Sequence, residues 1–219
     1  MMEEKTEGIL LHALPYLGHQ KILKVFTQEG GLVSLIAKSR SLTPLTAPFL
    51  VAEWVYKKGK EDLHLLKEAS LLHSLGALRD SYSALLAAGA IAQDLLRSQF
   101  PGKKGTGLYA LTLAYLKKLS TSAQPPILVA SFRLKLLVHE GWLALQTHCN
   151  QCPSPASHLS QGESACPAHA GLRSLSFAPE EWNTLQALAY ARQFSVLNAL
   201  SLSQGMQEKI QMLFEEKIR

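Results

Sequence analysis

The sequence predicts an α+β protein, a small N-terminal β-barrel followed by a helical domain, and three observations predict it. Residues 1–75 break into five short apolar segments separated by Gly, Pro and polar turns. From Ser74 the texture changes to Ala- and Leu-rich stretches with apolar residues recurring every three or four positions. Two Cys-containing pairs then interrupt the helical pattern late in the chain. Of the 219 residues, 47% are hydrophobic and 18% charged, enough apolar material for packed cores and too much for a mainly disordered chain. The length accommodates two domains, which we place at 1–75 and 76–219.

Taken in order, the expected strands are Gly8 to Leu14, stopped by Pro15; Gln20 to Thr27, stopped near Gly30-Gly31; and Leu32 to Lys38. Phe49 to Lys57, stopped by Gly59, and Asp62 to Leu66 complete a set of five, the number a small barrel needs. Lys21 to Thr27 also suits a helix by propensity. The expected helices are Leu75 to Gln99, broken by Phe100-Pro101-Gly102; Leu108 to Leu119; Ile127 to Leu145; one starting at Pro179; and Gln204 to Ile218. Pro179 fits a first helical position, and Glu180 and Glu181 complement the positive end of that helix.

Composition and motifs narrow the function classes. No run of about 18 uncharged apolar residues appears, so no membrane-spanning helix is expected. The acidic start, Met-Met-Glu-Glu-Lys-Thr-Glu, does not read as a secretion signal, and three cysteines do not make a disulfide framework, so a cytoplasmic protein is expected. H-E-x-x-H, G-x-S-x-G, a phosphate loop, G-x-G-x-x-G and the zinc-deaminase pattern are all missing, so no enzyme is expected. Gly102-Lys-Lys-Gly-Thr-Gly107 follows a helix rather than a strand and reads as a basic turn.

The sharpest signal is Cys149-Asn-Gln-Cys152 and, thirteen residues on, Cys166-Pro-Ala-His169. Two such pairs supply four ligands that close a tetrahedron around zinc, in a module at about 148–172. His148 and His158 compete for the fourth place, and His169 is chosen because it repeats the two-residue spacing of the first pair. Four protein ligands leave no open coordination position, so the expected zinc is structural.

The net charge of +5 is uneven. Residues 17–60 hold seven basic and two acidic side chains, and residues 76–148 hold eight and three. Such patches suit a polyanion. Lys21, Lys24, Lys38, Arg40, Lys57, Lys58 and Lys60 lie on or beside the expected strands and are the candidate DNA contacts. Tyr16, Phe26, Phe49, Trp54 and Tyr56 lie among them, and lysines with aromatic faces are what sequence-independent single-strand binding uses. Phe26 and Phe49 are expected in the core, whereas Trp54 and Tyr56 read equally as core or as stacking platforms.

The order of these parts resembles the bacterial RecO family. Glu7-Gly-Ile-Leu-Leu with Pro15-Tyr16, then Lys21-Ile-Leu, Thr27, Gly30-Gly31-Leu and Ala37-Lys38, is similar to the opening of those proteins. The helical middle, the two Cys pairs and the final helices follow in the family's order. The resemblance implies an OB-fold barrel, a helical domain and a zinc module. It implies a non-enzymatic recombination mediator that binds single- and double-stranded DNA, anneals complementary strands and helps RecR load RecA. It also implies contact with the C-terminal tail of single-strand-binding protein, and a nucleoid-associated place in the cytoplasm. By carry-over, Lys21, Lys38 and Arg40 contact DNA. One departure stands out: the dense Arg/Lys run usual after Lys38 is reduced here to Arg40 alone. That keeps a second reading open, a zinc-stapled scaffold that docks acidic protein partners without binding DNA.

Overall fold

The computed structural model of the protein describes residues 3–38, 45–59 and 61–218. The chain forms two compact units, Met1–Thr121 and Ser122–Arg219.

In the first unit β1 (Glu3–Pro15), β2 (Lys21–Thr27), β3 (Gly31–Ala37), β4 (Leu50–Lys57) and β5 (Leu63–Ser74) close into a barrel in the order β1-β2-β3-β5-β4. The meander β1-β2-β3 is antiparallel, and β5 closes the barrel by running parallel to β3 and antiparallel to β4. Alternation decides the ambiguous Lys21 to Thr27 stretch in favour of a strand. Leu23 and Val25 point into the barrel core with Leu10, Val33, Leu35, Trp54 and Tyr56, while Ile22 and Lys24 face outward. Inside, the Trp54 ring N–H donates to Gly8 O at 3.0 Å, satisfying the one polar atom of a fully buried indole. At Gly8 a Cβ would lie 2.5 Å from Val25 Cγ1, so only glycine lets β1 and β2 close there.

Two strands are longer than the sequence pattern predicts. β1 begins at Glu3, where it pairs with β4, and the ion pairs Lys5–Glu53 at 2.8 Å and Lys58–Glu4 at 2.6 Å lie across that seam. β5 runs on to Ser74, paired with β4 through two register shifts. A 3-10 turn (Gly76–Asp80) leads to α1 (Tyr82–Ser98), whose N-cap Ser81 accepts from Ala84 N, and then to α2 (Thr106–Leu119). The expected helix from Leu75 thus starts at Tyr82. Tyr109 on α2 donates to Glu7 Oε1 on β1 at 2.9 Å and packs its ring near Phe26.

The second unit is built around α3 (Pro125–His139), which packs against α4 (Pro179–Tyr190), α5 (Phe194–Asn198) and α6 (Gln204–Ile218). α3 stops at His139 rather than running to Leu145, because Gly141 adopts φ +73° and Trp142 N turns back to Leu137 O. Lys135 reaches from α3 to Ala189 O at 3.2 Å and Ala191 O at 2.7 Å, closing the carboxyl end of α4. Between α3 and α4 lies a small antiparallel sheet in the order β7-β6-β8, made of β6 (His158–Ser160), β7 (Glu163–Ala165) and β8 (Leu175–Ser176). No helix among the described residues is long and apolar enough to cross a membrane.

Candidate metal centre and basic barrel face

Two turns carry the four Cys and His side chains, and backbone hydrogen bonds set both. Cys149 N donates to Ser154 O at 2.9 Å, which folds residues 149–154 back on themselves, and Asn150 N donates to Ser164 O on β7 at 2.9 Å. Cys166 follows β7 directly, and His169 N donates to Cys166 O at 3.0 Å. The first turn is thereby pinned to the strand that delivers the second.

The four ligand atoms all lie within 4.8 Å of one another. Cys152 Sγ is 3.7 Å from Cys166 Sγ, and His169 Nδ1 is 3.5 Å from Cys149 Sγ and 3.3 Å from Cys166 Sγ. A tetrahedral ion with sulfur at ~2.3 Å and nitrogen at ~2.0 Å sets neighbouring ligands about 3.5–3.8 Å apart. These three spacings lie close to that shell, and no pair is more than 4.8 Å apart. They are far longer than the ~2.05 Å of a disulfide, and all three cysteines are free. The cluster is therefore a site that can hold a metal ion. His148 and His158 are not part of it: their Nδ1 atoms each lie 2.9 Å from a neighbouring hydroxyl, Thr147 and Ser157.

The local field favours ionised sulfur at Cys149. Burial pushes that thiol up, but hydrogen bonds from the Gln151 and Cys166 backbone and from His169 outweigh it, pulling it from 9.0 to about 6. His169 is raised in turn by its hydrogen bonds to Cys149 and Cys152.

The lysines expected to contact DNA are distributed over the barrel. Lys24 donates to Ser34 Oγ across β2–β3 at 2.8 Å, and Lys21 donates to Thr46 Oγ1 at 2.8 Å. Lys38 is exposed just past β3, and Lys57 is half-buried at the end of β4. Lys58 is engaged with Glu4. Arg40 and Lys60 lie outside the described residues. Phe26 and Phe49 are buried as expected, Trp54 and Tyr56, which read equally as core or platform, are buried too, and of these five rings Tyr16, 40% exposed, is the one open to solvent. Closure of the barrel is the reason, since it turns the Trp54 and Tyr56 face of β4 inward. Tyr56 stacks on His64 and donates to Glu4 Oε2 at 2.9 Å.

The basic turn 102–107 has a packing role that sequence reasoning missed. Gly102 N donates to Gly30 O at 2.8 Å and Leu32 N to Phe100 O at 3.3 Å, clasping the turn to the β2–β3 hairpin. Gly31 sits at φ +65°, where a Cβ would meet Phe100 O at 2.5 Å. The Gly30-Gly31 pair was the only sequence signal of that close approach.

A closed five-stranded barrel of the OB type, followed by helices that carry a Cys3His cluster, defines an α+β class of barrel-and-metal-module proteins. Within that class the chain belongs to the recombination protein O family. The description Recombination protein O N terminal matches residues 1–75, and Recombination protein O C terminal matches residues 79–218. Similar proteins include the DNA repair protein RecO of Chlamydia pneumoniae, 29% identical over 98% of this chain and 88% of that protein. That of Chlamydia trachomatis is 26% identical over 91% of this chain and 86% of its own length. That of Caldicellulosiruptor saccharolyticus is 26% identical over 72% and 65%. Membership places the chain in DNA repair and recombination.

Proposed function

We propose that the protein is a recombination mediator without covalent chemistry that binds single- and double-stranded DNA, anneals complementary strands and helps load RecA together with RecR. Family membership over both halves of the chain carries this reading, and the lysines of the barrel support it. Residues 1–75 act as the DNA-binding domain and residues 76–219 as a helical domain stapled by zinc at about 148–172. Lys21, Lys24 and Lys38, with Arg40, Lys57, Lys58 and Lys60, neutralise phosphates. Two strands held on one protein then repel each other less, which is all that annealing needs, and the effect weakens steeply with salt. Cys149, Cys152, Cys166 and His169 hold the zinc, which organises the module and takes no part in a reaction. The remaining partner is the acidic tail of single-strand-binding protein, and the site of action is the nucleoid of the cytoplasm.

The test is fluorescence anisotropy of a labelled single strand at low and physiological salt, with the wild type and with Lys21, Lys24 and Lys38 changed to Ala. Expected is salt-sensitive binding whose log–log salt slope falls by about 0.7 for each phosphate that is no longer neutralised. Binding to neither single strand nor duplex at low salt would remove the DNA function and leave a scaffold that docks acidic proteins.

A further inference from the structure

The outer face of the barrel divides into a covered and an open half. Toward the β2–β3 turn, Phe26 and Leu32 point outward and are buried, Phe26 beside the Tyr109 ring of α2. Toward the other end the same face stays open, and the strand register sets its side chains in rows. His12, Lys24 and Ser34 stand opposite one another in the first row. In the next row Leu14 stands opposite Ile22, Ile22 opposite Ile36, and Ile36 opposite Leu65. Leu14 is 39% exposed and the other three are half-buried. Lys57 stands opposite Leu65 on β4, and Lys38 follows Ile36 by two residues. From Leu14 to Leu65 neither row contains an acidic side chain; beyond Leu65, Glu3 of β1 stands opposite Lys57, so Lys24 and Lys38 are the cations that face the band.

Four aliphatic side chains on adjacent strands ~4.8 Å apart form a band about 15 Å long. Lysines on its borders call for an anionic occupant, and the band between them calls for one that also presents flat apolar surface. A single strand does both, because its unstacked bases expose their faces. A duplex offers the same phosphates but hides those faces in the stack. We propose that Leu14, Ile22, Ile36 and Leu65 form the floor on which the bases of a single strand lie, so that this row, and not the lysines, distinguishes single-stranded from duplex DNA. The inference rests on the DNA-binding reading above. It also explains how bases are accommodated although Phe26, Trp54 and Tyr56 are buried: aliphatic contact replaces ring stacking, and without donors or acceptors it is indifferent to base identity.

The test titrates a single strand and a duplex of the same sequence with wild type, with Ile22→Thr/Ile36→Thr and with Lys24→Ala/Lys38→Ala. Threonine keeps the β-branched shape strands favour, and an unchanged melting transition checks the fold. The threonine pair is expected to weaken single-strand binding roughly tenfold, to leave duplex binding almost unchanged and to leave the salt slope unchanged. The alanine pair is expected to weaken both substrates and to lower the slope. Unaltered single-strand affinity in the threonine pair, or equal losses on both substrates, would overturn the base floor while leaving DNA binding intact. Failure of the wild type to bind either substrate would instead defeat the DNA-binding reading, and the floor with it. A 2-aminopurine single strand gives a second readout on the wild type alone. Its fluorescence rises on binding if bases leave their neighbours for the aliphatic row, and an unchanged signal at saturation overturns the proposal.

Discussion

Changing Cys152 to Ser removes one ligand from the Cys3His cluster without emptying a core position, since Cys152 is only half-buried. Apparent binding of structural zinc is worth about 10–16 kcal/mol. Shared over four ligands, that is roughly 3 kcal/mol for each, or about a hundredfold loss of metal affinity. What a metal bound at this cluster would hold can be read from the surrounding structure. The sheet beside it consists of strands of three, three and two residues, too short to persist alone. The helices around α3 have their own apolar contacts through Phe132, Leu137, Leu185, Leu188 and Phe214. Loss of that metal is therefore expected to unfold the module locally and to leave the helices standing. Amide hydrogen exchange with and without a chelator, and in Cys152→Ser, measures this. The amides of Cys149, Asn150, Ser157 and Phe177, each donating inside or at the edge of the module, lose protection, while those of α3 keep theirs. Full protection of the module after the metal is stripped would refute the reasoning. So would a Cys152→Ser protein that holds zinc as tightly as the wild type.

Three further outcomes are expected. Burial and the Glu4 carboxylate push Tyr56 up to about 12, and burial and Glu7 raise Tyr109 as well. The unfolded chain ionises its tyrosines near 10 while these two stay neutral, so their contribution is complete below about pH 10 and is lost as pH rises toward 12; urea unfolding across that range should show a slope that Tyr56→Phe/Tyr109→Phe flattens. Gly31→Ala drives a Cβ against Phe100 O in a left-handed backbone and should cost about 2–4 kcal/mol by denaturant unfolding, whereas Gly18→Ala, with nothing within 4 Å, meets only the backbone strain and should cost less. Lys135→Ala removes the donor that closes the end of α4 and should cost about 1–2 kcal/mol, with Lys135→Arg recovering part of it.

Much of this architecture was legible in the sequence, and the illegible parts have physical causes. Strand β2 was readable because Leu23 and Val25 alternate with Ile22 and Lys24, although propensity alone allowed a helix. The start of β1 was not, because Glu3 to Glu7 reads as a polar tail and owes its strand form to pairing with β4. The last turns of β5 were hidden because Lys67 to Ser74, with two register shifts, lacks a regular alternation. Spacing pointed to Cys149, Cys152, Cys166 and His169, and the structure brings their ligand atoms within 4.8 Å of one another because two short turns each present both of their side chains to one point. Trp54 and Tyr56 stayed undecided between core and surface for the converse reason. Whether Trp54 and Tyr56 face in or out depends on how five strands close, which no single strand encodes. The outward row Leu14, Ile22, Ile36 and Leu65 was invisible for the same reason, its members being neighbours only through register.

Crosslinking of a photoreactive single-stranded oligonucleotide to the zinc-loaded protein, with the adducts mapped by peptide mass spectrometry, tests most directly whether the barrel is where DNA binds. The account predicts adducts on peptides spanning His12 to Lys38, reduced when Lys24 and Lys38 are changed to Ala. Adducts confined to residues 122–219, with the barrel unmarked, would contradict it.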